Sequence, residues 1–109
     1  MKKLRMDEAA AVGLPLFEMK TFYEAAGPGE SIKFSLITMP PGVRVPAEGM
    51  SEHAEDEYSF FIDGELYTES GDFKGISSKG DFSFIPKGER HWCENRTDKP
   101  CVLLCAQVK

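Results

Sequence analysis

The two histidines of the chain, His53 and His91, stand in segments whose other residues suit metal chemistry. Around the first, the sequence runs Gly49-Met50-Ser51-Glu52-His53-Ala54-Glu55-Asp56-Glu57. In an extended chain, residues separated by an even number share a face, so Ser51, His53, Glu55 and Glu57 all point one way, into a barrel. Imidazole and carboxylate converging on one interior spot suit a borderline divalent ion. The plain alternative is a solvated acidic turn carrying an incidental histidine. The second segment is more specific: Gly80-Asp81-Phe82-Ser83-Phe84-Ile85-Pro86-Lys87-Gly88-Glu89-Arg90-His91-Trp92-Cys93-Glu94-Asn95. Gly80 opens a strand, Pro86 and Gly88 make a tight turn, and the turn brings His91 onto the next strand facing back inside. Cys93 shares that parity, either as a thiolate for a soft metal or as a small buried hydrophobe. Trp92 points the other way, into packing. Lys33, Arg44, Lys87 and Arg90 are the cations available to an anionic ligand, and the sequence does not say which of them faces inward.

The elements that must position these residues read as strands. Only Asp7 to Val12 has helical character, ending at Gly13 and Pro15. Strands are predicted over Leu16–Tyr23, Ile32–Met39, Glu57–Ile62, Glu65–Thr68, Phe73–Ser77, Phe82–Ile85, His91–Glu94 and Cys101–Val108. Clusters of Gly, Pro, Asp and Lys separate them. Asp63-Gly64 carries the strongest hairpin signal, a two-residue type I′ turn with positive φ at both residues. Short strands at this spacing point to an all-β fold, a small barrel or sandwich. Ser59 and Phe61 share the side of the candidate ligands. Tyr58, Phe60 and Ile62 lie on the opposite face, and Phe82 and Phe84 share a face with each other, as core or dimer interface.

A chain of 109 residues is one domain's worth, able to bury about two-thirds of its unfolded surface. With 41% hydrophobic and 28% charged residues it has the composition of a globular protein rather than a disordered one. Thirteen Lys+Arg against eighteen Asp+Glu leave a net charge of -5, which repels phosphate backbones and argues against nucleic-acid binding. No apolar run reaches the ~18 residues that span a bilayer. Met1-Lys2-Lys3 begins like a signal peptide, but Asp7 and Glu8 interrupt it before an apolar region forms. The expected location is cytoplasmic. Three cysteines, an odd count, are no disulfide framework, and Cys101 and Cys105 in one strand have Cα atoms roughly 13 Å apart, beyond bridging.

The second segment reads G-x5-P-x-G-x2-H-x3-N without a mismatch, and there the chain resembles the second motif of the cupin family. The first cupin motif, G-x5-H-x-H-x3,4-E-x6-G, is met in its latter half by His53, Glu57 and Gly64. In its front half Ser51 stands for the first histidine and Val45 for the first glycine. The resemblance covers residues 32–108. It implies a small antiparallel jelly-roll barrel, residues 32–109, with residues 1–31 as a short helical or irregular segment packing on it. It also implies a homodimer and one divalent metal ion (Fe, Mn, Zn or Ni) held by His53, Glu57 and His91. Ser51 occupies the missing fourth place. Two His and one carboxylate form a facial triad, which leaves positions open for substrate, water or dioxygen.

Two readings of function follow. In the first the protein is a metal-dependent enzyme on a small oxygenated metabolite such as a sugar acid or keto acid, with Glu52 or Glu55 as acid/base. In the second it is a ligand-binding barrel without chemistry, its metal site weakened by Ser51; a purely structural barrel is the limiting case. Family resemblance does not choose the substrate or the reaction.

Overall fold

The computed structural model describes residues 1–109. A single 3-10 turn, Met6–Glu8, precedes ten strands: β1 (Ala11–Gly13), β2 (Glu18–Gly27), β3 (Glu30–Met39), β4 (Arg44–Val45), β5 (Asp56–Asp63), β6 (Glu65–Ser70), β7 (Phe73–Ser78), β8 (Phe82–Ile85), β9 (His91–Glu94) and β10 (Cys101–Val108). Six of them form one sheet in the order β1-β2-β3-β10-β5-β8, and four form a second in the order β4-β9-β6-β7. Every pairing is antiparallel. The jelly-roll architecture expected from the sequence is the one observed.

The side-chain alternation of β10 shows how the sheets close. Cys101, Leu103 and Cys105 are buried, and with Met39 of β3, Phe61 of β5 and Leu66 of β6 they supply the apolar centre between the sheets. On β5, Ser59 and Phe61 are buried while Tyr58, Phe60 and Ile62 are exposed, as the parity argument required. Leu103 pairs with Phe61 while Val102 pairs with Asp63, so Ile62 is the extra residue of a bulge that keeps both strands facing the core.

The N-terminal residues differ from expectation. Instead of a helix over Asp7–Val12 there is the short 3-10 turn, with no side-chain cap, and then β1, which pairs with β2 along Ala11–Gly13. Six residues without a cap do not offset the cost of helix nucleation, whereas an edge pairing satisfies their backbone at once. β2 runs on through Ala25 and Ala26 because its hairpin with β3, turning at Pro28 and Gly29, carries the pairing to Gly27–Glu30. β1, β2 and the start of β3 bring residues 11–31 into the larger sheet, and the expected boundary between residues 31 and 32 falls inside β3.

The Asp63-Gly64 turn is also corrected. β5 and β6 do not pair: β5 lies in the six-stranded sheet, between β10 and β8, and β6 in the four-stranded sheet, between β9 and β7. The turn carries the chain from one sheet to the other, and only Gly64 has positive φ (77°). A Cβ on Gly64 would stand 2.6 Å from the Pro100 carbonyl oxygen and 2.8 Å from Cys101 Cα. The glycine is required by the close approach of β10.

Asn95, fully buried, ties this framework together. Its Nδ2 donates to the carbonyls of Met39 (3.1 Å) and Lys99 (2.8 Å). Its Oδ1 accepts from the Thr97 N–H (3.0 Å) and hydroxyl (2.7 Å), so every donor and acceptor of the amide is used.

The three thiols are free, as the cysteine spacing implied. Burial pushes the Cys93 thiol up to about 12, with the Glu57 carboxylate adding to the effect. Burial and Glu57 do the same to Cys105, also to about 12. Burial, then Asp63, raises Cys101 to about 11. Buried neutral thiols of this kind are packing groups, not nucleophiles.

Two measurements test these points. In urea denaturation, Gly64→Ala is expected to cost at least about 2 kcal/mol and Asn95→Ala about 3 kcal/mol. Gly29→Ala, which has positive φ but nothing within 4 Å of the new Cβ, is the control, at about 1 kcal/mol. Equal losses at Gly64 and Gly29 would contradict the close-approach argument.

The thiols fix a pH dependence. Their folded values lie above the unfolded ones, so their contribution is complete below the unfolded value of about 8.5 and is lost as pH rises toward the folded values. The urea midpoint is expected to fall above about pH 9, less steeply in Cys105→Ala. A thiol reagent should react with all three cysteines in unreduced, denatured protein and with none quickly in the native state. A midpoint level to about pH 10, or fast native labelling, would contradict the assignment.

A candidate metal and ligand site

A cavity of about 710 Å³ lies between the two sheets. Ser51, His53, Glu57 and His91 all line it. Ser51 and His91 are joined by two backbone bonds, Ser51 N–H to the His91 carbonyl (2.8 Å) and His91 N–H to the Ser51 carbonyl (2.9 Å). The Gly88 N–H donates to the His53 carbonyl at 2.8 Å, so the Pro86-Lys87-Gly88 turn holds the loop of the first histidine. The result is two imidazole rings with centroids 5.0 Å apart.

The parity argument holds at Ser51, His53 and Glu57 and fails at Glu55. The strand begins only at Asp56, and the chain bends at Ala54 and Glu55, so Glu55 does not line the cavity; Glu48 and Glu52 do not line it either. Glu57 sits on β5 opposite Gln107 of β10, whose Nε2 donates to Glu57 Oε1 at 3.4 Å.

His91 is buried, and its Nδ1 lies 2.9 Å from the Glu89 carbonyl oxygen. A carbonyl only accepts, so Nδ1 carries a proton, and in the neutral ring the lone pair is then on Nε2. That is the tautomer of a metal-binding imidazole whose other nitrogen is anchored to the backbone. The donor set is thus suited to a divalent ion in its two imidazoles. Glu57 shares their cavity, but no three side chains of His, Cys, Asp or Glu are gathered closely enough to hold a metal.

Of the four candidate cations only Lys33 lines the cavity. Arg44 lies over the Trp92 ring (4.2 Å), on the outward face of the strand that carries His91. Tyr67 packs against Trp92 (5.4 Å between centroids), and Arg96 lies 3.8 Å over Tyr67. Arg44 also donates to the carbonyls of Pro46 (2.7 Å) and Gly49 (3.0 Å), fixing the turn that leads to Ser51.

Sequence reasoning missed four contributors. Glu89 anchors His91 through its carbonyl and accepts from the Ser70 hydroxyl at 2.7 Å through its carboxylate. Gln107 faces Glu57, a pairing that only the β5–β10 register reveals. Phe17 and Met19 line the cavity from β2 and the segment just before it, and their i, i+2 spacing in an expected strand was the available signal.

None of the curated proteins compared with the chain matches it. Solved structures match over nearly its whole length. The polyketide cyclase RemF from Streptomyces resistomycificus does so with a TM-score of 0.80 at 14% identity, covering 99% of this chain and 79% of that one. KdgF from a Halomonas species gives 0.77 at 14%, covering 98% and 93%. A cupin 2 conserved barrel domain protein from Salinispora arenicola gives 0.75 at 21%, covering 98% and 87%. At such identities these neighbours speak for the fold. The sequence speaks for the family: the cupin-domain family model matches residues 35–107, most of the chain, and the chain belongs to the cupin family.

Proposed function

We propose that the cavity binds one divalent metal ion and a small oxygenated organic molecule, and that the protein is an enzyme acting on that molecule. The observation that carries this reading is the contact between His91 Nδ1 and the Glu89 carbonyl. The Nδ1 N–H donates to that carbonyl, which in the neutral ring leaves the lone pair on Nε2, and the His91 ring stands beside that of His53 in the cavity wall. In the proposal His53, Glu57 and His91 hold the ion, with Ser51 in the cavity wall as a weak fourth donor. When bound, the ion supplies Lewis-acid or redox chemistry to a substrate oxygen. The chain's own residues do the rest. Gln107 orients the Glu57 carboxylate, Glu89 fixes the His91 ring, and Lys33 offers the cavity its one lysine or arginine charge.

The second reading, a binding barrel without catalysis, rests on a specific observation. The third donor is not gathered with the two imidazoles, and Ser51 stands where the first cupin histidine is expected. Neighbours named as a cyclase and as a sugar phosphate isomerase show how little the fold restricts chemistry. The free thiols support a reducing compartment, the cytoplasm; no helix is long and apolar enough to cross a membrane.

Metal titration of four variants at one pH tests the proposal. Ser51→His is expected to bind zinc or nickel about tenfold more tightly, equivalent to about 1.4 kcal/mol. His53→Ala and His91→Ala should abolish binding, and Glu55→Ala should leave it unchanged. Wild-type protein that takes up no metal would favour the binding barrel.

A homodimer belongs to the same proposal. The outer face of the larger sheet exposes Tyr58, Phe60, Phe82 and Phe84, with Tyr58 and Phe84 ring centroids 5.0 Å apart, and Phe34 and Tyr23 further along. A second copy would remove this apolar face from water. Light scattering at tens of micromolar is expected to give twice the chain mass, and a monomer there would refute it.

A further inference from the structure

Three carboxylates and one ammonium group stand in the cavity wall: Glu57, Asp81 and Glu89, and Lys33. Each carboxylate already has a partner within the protein. Glu57 accepts from the Gln107 amide at 3.4 Å, Glu89 from the Ser70 hydroxyl at 2.7 Å, and Asp81 from the Ser78 N–H at 2.7 Å. Lys33 has none. The ion pairs of the molecule are Arg5–Asp7 and Arg96–Glu94, and Glu24, the cross-strand neighbour of Lys33 on β2, is exposed and makes no pair with it.

The place of Lys33 in the sheet sets it apart from the other lysines, none of which lines the cavity. Ile37, Ser35 and Lys33 follow one another at intervals of two along β3, and all three face the cavity. Lys33 is half-buried there. An ammonium group in such a position gives up part of its hydration and regains nothing from the protein, a cost that an anion in the cavity would offset.

The strand register sets where that anion would lie. Lys33 pairs with Gln107 and Gln107 with Glu57, a single row across β3, β10 and β5. Neighbouring strands are about 4.8 Å apart, so Lys33 and Glu57 stand about 10 Å apart at the backbone. Gln107, between them, uses one N–H on Glu57 and has a second to offer the same anion. Phosphate recognition relies on clustered guanidinium or ammonium donors, whereas here one cation faces three carboxylates and no arginine lines the wall. A carboxylate, with its single charge, matches one ammonium group and one amide N–H.

We propose that the ligand of this cavity carries a carboxylate held by Lys33, and that a separate hydroxyl or carbonyl oxygen of the same molecule meets the end where His53, Glu57 and His91 stand. Lys33 is then the residue that selects an acid over its neutral analogue. The inference rests on the ligand-site reading above and narrows its substrate class, but the Lys33 contact does not need the metal ion.

Titration of 4-oxopentanoate and 4-oxopentanamide at fixed ionic strength, followed by NMR chemical shifts with and without one equivalent of zinc, tests it. The acid is expected to bind at least about tenfold more tightly than the amide in both conditions. Lys33→Met should erase that preference while leaving zinc uptake and amide binding unchanged, and Lys33→Arg should keep it. Lys33→Gln replaces the Met variant if circular dichroism shows that one unfolded. Equal binding of acid and amide, or a preference that persists in a folded variant without the ammonium group, would overturn the proposal. So would an acid that does not bind up to about 20 mM, or tighter binding of inorganic phosphate than of the acid. Absent zinc uptake with the Lys33-dependent preference intact would support the carboxylate assignment and strike only the metal reading.

Discussion

At one end of the barrel the two sheets are joined by the side chain of one buried residue. Asn95 lies just beyond β9 of the smaller sheet, and its amide donates to the carbonyl of Met39 at the end of β3 in the larger one. Its backbone continues the same join: the Asn95 N–H donates to Val43 and its carbonyl accepts from Gly42. Polar backbone at the end of two sheets must find partners or carry the cost of being dry. A single fully satisfied amide does this for the end of β3, the Thr97–Lys99 turn and the start of β10 together. The position of β9, and of His91 upon it, depends on that join.

Amphipathic alternation has an unusual meaning in this barrel. On β5 the inward residues are Glu57, Ser59 and Phe61, and the outward ones include Tyr58 and Phe60. Much of the inner face is polar because it surrounds a cavity, and the outer face is apolar and aromatic. The buried hydroxyls of Ser35 and Ser59 and the thiol of Cys105 are therefore groups of the cavity wall rather than faults in a core.

The parts of this arrangement legible in the sequence were those fixed by local spacing. The Pro86–Gly88 turn and His91 were readable because a tight turn demands those residue types at those intervals. His53 and Glu57 were legible as cavity residues, but a bend at Ala54 and Glu55 interrupts the extended period between them, which is why Glu55 was misplaced. Asp63-Gly64 illustrates the limit. Its composition is that of a hairpin turn, but the need for glycine comes from Pro100 and Cys101, which are remote in sequence. Lys33 and Gln107 were illegible for the same reason: which strand lies beside which is decided by long-range pairing, and β10 pairs on one side with β3 and on the other with β5. The short strand β4 carries no periodic signal in two residues and exists by leaning on Glu94 and Cys93.

The loops of the two histidines are joined through main-chain atoms: Ser51 with His91 in both directions, and Gly88 with His53. Main-chain bonds are indifferent to the side chains mounted on them. The scaffold that brings these positions together therefore does not depend on whether a hydroxyl or an imidazole stands at Ser51, so the donors of the cavity wall can be exchanged by single substitutions while the architecture stands still.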